Sequence, residues 1–254
     1  MMRIIALQSG SNGNCIYIES GDTRLLVDAG ISGICAQNRL SAFGIDIRSV
    51  SALLITHDHR DHVANAGVFH RKFKIPVWMT PSTHEAVAHK VGKVADVRHF
   101  SSNSCFALGS VNIEAVSTPH DAVDGVCFVV DDGRSRFGIC TDLGHVFSDL
   151  PDLVASLDGV LLESNFDPQM LDDGFYPSSL KARVRGRGGH LSNFDSAKLL
   201  KNHGKHLKKT MLGHISHENN REELVVATHK KIIGSSFDCF LAHRYRASEV
   251  VEIE

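Results

Sequence analysis

Short apolar runs of strand length alternate with stretches of helical period along nearly the whole chain. Arg3 to Leu7, Cys15 to Glu19 and Arg24 to Val27 read as strands, the last two facing each other across the turn Ser20-Gly21-Asp22. Ile34 to Phe43 repeats its apolar residues with the period of an amphipathic helix, and Gly44 marks its stop. Leu53-Leu54-Ile55 is again strand-like. A helix then runs from Ala64 to Lys72, a buried-type strand covers Pro76 to Met79, and Pro81 opens a further helix with Ser or Thr near its N-cap. The second half repeats the alternation. Val111 to Pro119, the hairpin Cys127 to Val130 with Arg136 to Cys140, Gly159 to Leu162 and Lys209 to Gly213 read as strands. Helices are expected over Ser148 to Leu157, Phe194 to Lys201 and Glu222 to Lys231, with a closing strand between Cys239 and Val251. This pattern predicts a mixed α/β (α+β) fold: a four-layered αββα sandwich, two sheets face to face with helices outside, formed as one domain over residues 1–254.

Composition narrows the partners. At 254 residues and 43% hydrophobic content the chain can bury a large core, and a formal net charge of -2 gives no global signal for nucleic acid or a membrane. Six cysteines are scattered without a C-x-x-C pair, which fits neither a disulfide scaffold nor a thiolate zinc site and suits a reducing compartment. No signal-peptide core and no apolar run of spanning length are visible, so a cytoplasmic protein is expected. The oligomeric state stays open, with a homodimer among the allowed assemblies.

The chemistry is concentrated after Ile55, where Thr56-His57-Asp58-His59-Arg60-Asp61-His62 places three histidines and two carboxylates within six residues. Neutral imidazoles beside carboxylates suit borderline divalent ions, and a loop leaving a buried strand can aim such side chains at one point. Three later residues also end strands: His120, Asp142 and His214. Taken singly, each is more often a turn or cap residue.

The order H-x-H-x-D-H, then histidine, aspartate and histidine at successive strand ends, resembles the metallo-β-lactamase superfamily. That resemblance implies two divalent ions, Zn2+ ahead of Mn2+, with His57, His59 and His120 on one, Asp61, His62 and His214 on the other, and Asp142 bridging. The strand followed by Asp28-Ala29-Gly30 is another feature of that superfamily, in which the aspartate supports the metal loop by hydrogen bonding; a plain turn residue is the other reading. The runs Glu163-Ser164-Asn165-Phe166-Asp167, Gly189-His190-Leu191-Ser192-Asn193 and Gly213-His214-Ile215-Ser216-His217 resemble the YycJ/WalJ-like branch, related in layout to ribonuclease Z and PhnP. Carried over from ribonuclease Z, Glu163 and His190 would form a catalytic dyad beside the ions, and Asp61 would orient or deprotonate the attacking water.

Substrate contacts are expected from two places. Ser11 and Asn12 lie in a loop of small, turn-prone residues that either presents backbone N–H groups to an anion or makes a tight hairpin. Arg183, Arg185 and Arg187 alternate in what reads as a glycine-rich loop within a locally basic stretch, which suits phosphate contacts, although a solvated face accounts for the neighbouring lysines equally well. The resulting expectation is a dinuclear phosphodiesterase or nuclease, a DNA exonuclease, using a hydroxide generated at the ions and a Glu–His dyad to protonate the leaving group. A thioester or lactone hydrolase of the glyoxalase II type and a small cyclic phosphodiesterase are the alternatives. The interval from Asp142 to His190 is too short for the extra cap domain of some nucleases in the superfamily, and no long glycine-rich tRNA-clamping arm is visible.

Overall fold

The computed structural model describes residues 1–254. The first part of the chain forms β1 (Met2–Gln8), β2 (Cys15–Ser20), β3 (Thr23–Val27), β4 (Ala52–Leu54), β5 (Val77–Met79) and β6 (Val97–His99), with α1 (Gly33–Ser41), α2 (Arg60–Val63), α3 (Ala66–Phe73) and α4 (Pro81–Val91) between them. The second part forms β7 (Ser104–Leu108), β8 (Val111–Ser117), β9 (Val126–Asp131), β10 (Arg136–Cys140), β11 (Gly159–Glu163), β12 (Lys209–Gly213) and β13 (Phe240–Leu241). Its helices are α5 (Leu150–Ala155), α6 (Pro168–Asp173), α7 (Ser178–Arg185), α8 (Asn193–His203) and α9 (Glu222–Ile233), and β14 (Val251–Ile253) ends the chain. One sheet has the order β14-β1-β2-β3-β4-β5-β6 and the other β13-β12-β11-β10-β9-β8-β7. Each begins as an antiparallel meander and continues as parallel strands joined through helices.

Three apolar layers account for the stacking. Met2, Ile4 and Ala6 of β1 meet Phe128, Val130 and Leu161 of the other sheet in the central layer. The alternate residues Ile5 and Leu7 face outward and pack with Phe69 and Phe73 of α3. Because both faces are covered, β1 has to be apolar at nearly every position rather than at every second one. The same argument holds for β11, where Leu161 points into the central layer while Val160 and Leu162 pack beneath the helical layer of Leu153, Leu199 and Val225.

The helix boundaries follow local hydrogen bonding. Ser32, Thr80 and Ser192 each cap a helix by accepting the N–H of the residue three positions on. Two expectations need correction. The closing strand between Cys239 and Val251 is instead two very short strands in different sheets: Ser248 Oγ accepts the Ala6 N–H, and Arg39 donates to the Tyr245 carbonyl, which turns the intervening chain into a tethered loop. The segment carrying Arg183 and Arg185 is not a glycine-rich loop but α7, with Arg187 just beyond it. The alternation of Arg183, Arg185 and Arg187 hid a helix of eight residues, none of them buried.

Candidate metal centre

The loop after β4 and the ends of β8, β10 and β12 meet at one edge of the two sheets. His57, His59 and His120 bring one ligand atom each within 4.8 Å of one another, and so do Asp61, His62 and His214. The Asp142 carboxylate lies between the two groups, 3.2 Å from His62 Nε2 through Oδ2 and 3.6 Å from His120 Nε2 through Oδ1.

Hydrogen bonds behind the rings decide which nitrogen of each faces the centre. His62 Nδ1 donates to Asp28 Oδ2 at 2.7 Å. His57 Nδ1 donates to Thr56 Oγ1 at 2.9 Å, and that hydroxyl donates in turn to Asp28. His120 Nδ1 donates to the Gly189 carbonyl at 2.9 Å, and His214 Nδ1 to Glu163 Oε1 at 3.1 Å. These four rings therefore offer Nε2 to the centre, whereas His59, whose Nε2 donates to the Asp121 carbonyl, offers Nδ1. His57 Nε2, His214 Nε2 and Asp142 Oδ2 are buried and have no hydrogen-bond partner in the protein. Uncompensated burial of such atoms is costly, and a pair of divalent ions would satisfy all three, so the donor set fits the group.

Charge is balanced inside this cluster. Burial holds the His57 and His120 imidazoles below the usual histidine range, which keeps them neutral and ready to coordinate. Burial also opposes the charged forms of His62 and His214, but Asp28 and Asp142 around the first and Asp142, Asp61 and Glu163 around the second outweigh it; His214 is pushed up to about 10. Asp61 and Asp142 are driven down despite their burial by the same imidazoles, chiefly His62 for Asp61 and His214 for Asp142. Protons would thus compete with divalent ions for the His62 and His214 nitrogens.

The backbone is bent to make this possible. Asp28, Asp142 and His214, at the ends of β3, β10 and β12, take left-handed conformations with φ of 67°, 55° and 53°. Such strain in non-glycine residues is held by surrounding hydrogen bonds: the His214 N–H donates to Ser9 Oγ, and Asp28 accepts from both Thr56 and His62. Gly30 permits the closest approach, since a Cβ there would stand 1.7 Å from the Asp61 carbonyl oxygen.

Glu163, fully buried, joins the centre to His190. Its Oε1 accepts from His190 Nδ1 at 2.7 Å, while Oε2 accepts the N–H groups of Leu143 and Leu191. Burial would raise this carboxyl, yet the His190 imidazole and the His214 hydrogen bond lower it to about 2. His190 Nε2 is left free toward a cavity beside the centre.

Among the residues expected to meet substrate, Ser11 and Asn12 share with Asp61 a polar cavity of about 790 Å³. The three arginines do not form a free patch. Arg183 makes a bidentate pair with Asp121 at 2.6 and 3.1 Å, Arg185 pairs with Asp172, and Arg187 donates to His145 Nε2 at 3.0 Å. Arg60 and Lys90, which make no ion pair, instead line the cavity that Ser11 and Asn12 share with Asp61. Arg60 was visible inside the histidine motif; nothing in the sequence near Lys90 points to the site. Thr56 and Asn165, whose amide donates to the His214 carbonyl, were likewise not singled out.

The family profile of the metallo-β-lactamase superfamily matches residues 9–165, more than half of the chain. The chain is 32% identical over 224 residues to exodeoxyribonuclease YycJ of Bacillus anthracis, covering 86% of this chain and 84% of that protein. It is 37% identical over 227 residues to exodeoxyribonuclease WalJ of Streptococcus pneumoniae, covering 87% and 84% respectively. Among solved structures, the metallo-β-lactamase fold protein YhfI of Bacillus subtilis superposes with a TM-score of 0.75 at 16% identity, covering 99% of both chains, a likeness of fold.

Proposed function

The chain belongs to the metallo-β-lactamase superfamily, and we propose that it is a dinuclear metal-dependent phosphodiesterase whose substrate is nucleic acid, acting as a DNA exonuclease. The observation that carries this reading is the Glu163–His190 pair at 2.7 Å beside seven converging donor residues. Support for the substrate class comes from the two exodeoxyribonucleases that resemble this chain over most of its length.

His57, His59 and His120 would hold one ion, Asp61, His62 and His214 the other, and Asp142 both. Five imidazoles with two carboxylates favour Zn2+, with Mn2+ as the alternative. Bound there, divalent ions supply Lewis acidity, making water more acidic and neutralising a phosphodiester. Asp61, ionised and partly exposed, accepts a hydrogen bond from the attacking water and aligns it with phosphorus. The bond to the leaving oxygen then breaks, and that alkoxide needs a proton. His190 supplies it from Nε2, while the ionised Glu163 accepts Nδ1–H and fixes the orientation of the ring. Thioesters, which expel a thiolate rather than an alkoxide, have less use for this acid.

The test is His190→Ala on end-labelled single- and double-stranded DNA. The expected result is a fall in kcat of about 10²- to 10⁴-fold with metal content unchanged. Full activity in the variant would overturn the assigned role. A wild-type enzyme that retains two metals but cleaves only a small phosphodiester or a thioester would replace the substrate class.

A further inference from the structure

His190 lines a cavity of about 440 Å³ to which none of the seven donors assigned to the two ions contributes. This volume lies within the range of small-ligand pockets, roughly 300–1,000 Å³. Its walls differ from those of the larger cavity on the Asp61 side. That one is polar, with Arg60 and Lys90 set against Asp58 and Asp61, and has no aromatic residue. The His190 cavity includes Phe194 and Val146, which are 45% and 40% exposed, together with Arg185. Phe194 follows the Ser192 N-cap of α8, so its backbone is fixed, and Lys198 Nζ stands over one face of the ring, 4.3 Å from its centroid, so that stacking would use the opposite face. Arg185 is held by Asp172, and Asp195 also lines the cavity, so the feature available to a ligand is the exposed aromatic ring in one cavity with a proton donor. That arrangement matches the way proteins hold unpaired bases, by stacking that tolerates any base.

Position decides which base this is. If His190 protonates the leaving oxygen, the nucleoside that owns that oxygen has to lie on the His190 side of the scissile phosphate. We propose that this cavity is the subsite for the leaving nucleoside and that Phe194 is its stacking platform. The inference rests on the phosphodiesterase reading above and adds a residue that selects for a base on one side of the cut.

The experiment compares wild type, Phe194→Ala and Phe194→Trp on three forms of one labelled oligonucleotide: intact, abasic on the leaving-group side of the scissile phosphate, and abasic on the other side. Product length and end group identify the side. Phe194→Ala is expected to raise KM about tenfold on the intact and other-side abasic substrates with kcat nearly kept, from the usual worth of one base stack. It should change nothing on the leaving-side abasic form, and Phe194→Trp should restore wild-type KM. Equal penalties on all three substrates, or none, would overturn the stacking role; a thermal melt matching wild type excludes misfolding as their cause. Absence of cleavage of every oligonucleotide by metal-loaded wild type would overturn the phosphodiesterase reading together with this one, whereas cleavage that is indifferent to Phe194 would overturn this one alone.

Discussion

The two halves of the molecule reach the same centre by different routes. In the first, His57, His59, Asp61 and His62 come from one loop after a strand of three residues, and their geometry is set locally by α2 and by the Asp28–Thr56 hydrogen bonds. In the second, His120, Asp142 and His214 lie on three strand ends far apart in sequence. There the ladder does the positioning: Cys140 pairs with Leu162 and Glu163 with Gly213, so parallel register sets Asp142, Glu163 and His214 side by side. A local site is vulnerable to a change in its loop, while a distributed one is vulnerable wherever strand ends are aligned.

The largest effect is expected where the halves meet. Asp142→Ala removes the carboxylate that stands between both sets, and activity should fall to the background rate with fewer than two metals per chain by elemental analysis. Two retained metals would show that the six other donors hold both ions without the carboxylate between them. Next comes Gly30→Ala, which drives a methyl group into the Asp61 carbonyl; unfolding by denaturant should show a loss of about 1–3 kcal/mol or more. No change would mean that the loop is softer than its hydrogen bonding implies.

A smaller contrast separates the supporting residues. Asp28→Ala leaves His62 and Thr56 without their acceptor and should weaken metal binding about 10- to 100-fold in a chelator competition. Asn165→Ala, whose amide bonds the His214 carbonyl while Glu163 still holds the ring, should cost at most the lower end of that range. Comparable losses would erase the distinction between the halves.

The finest measure is proton release. His62 and His214 are both raised, the latter to about 10, and each must give up its Nε2 proton when a metal binds. Calorimetry at pH 7 in buffers of different ionisation enthalpy should therefore show roughly two protons released on loading, with apparent affinity rising with pH until His214 is neutral. The sign is opposite for metal-free stability. The contribution of His214 is complete below its unfolded pKa near ~6.5 and is lost as pH rises through about 10. A pH-independent affinity would contradict the charge balance described for the centre.

Legibility followed the range of the interactions. Both the continuous apolar run of β1 and the stop at Gly44 are local signals, and so is the crowding of donors after Ile55, so they could be read directly. Helix α7 could not, because it buries nothing and its arginines mimic an extended alternation. Strand β6, Val97–His99, lacks the apolar run that marks β4 and β5 at the same length, and β13, of two residues, is shorter than any periodicity can define.

By itself the sequence determined the layered alternation of strands and helices and the placing of histidines, carboxylates and Glu163 at strand ends, since both depend on neighbours within a few positions. Only the tertiary structure decided which imidazole nitrogen faces inward, that Arg183 is committed to Asp121 while Arg60 and Lys90 stay free, and that Phe194 flanks His190. Those outcomes depend on which partner reaches a side chain first in space. That is set by sheet register and loop packing between residues tens of positions apart, which no local pattern encodes.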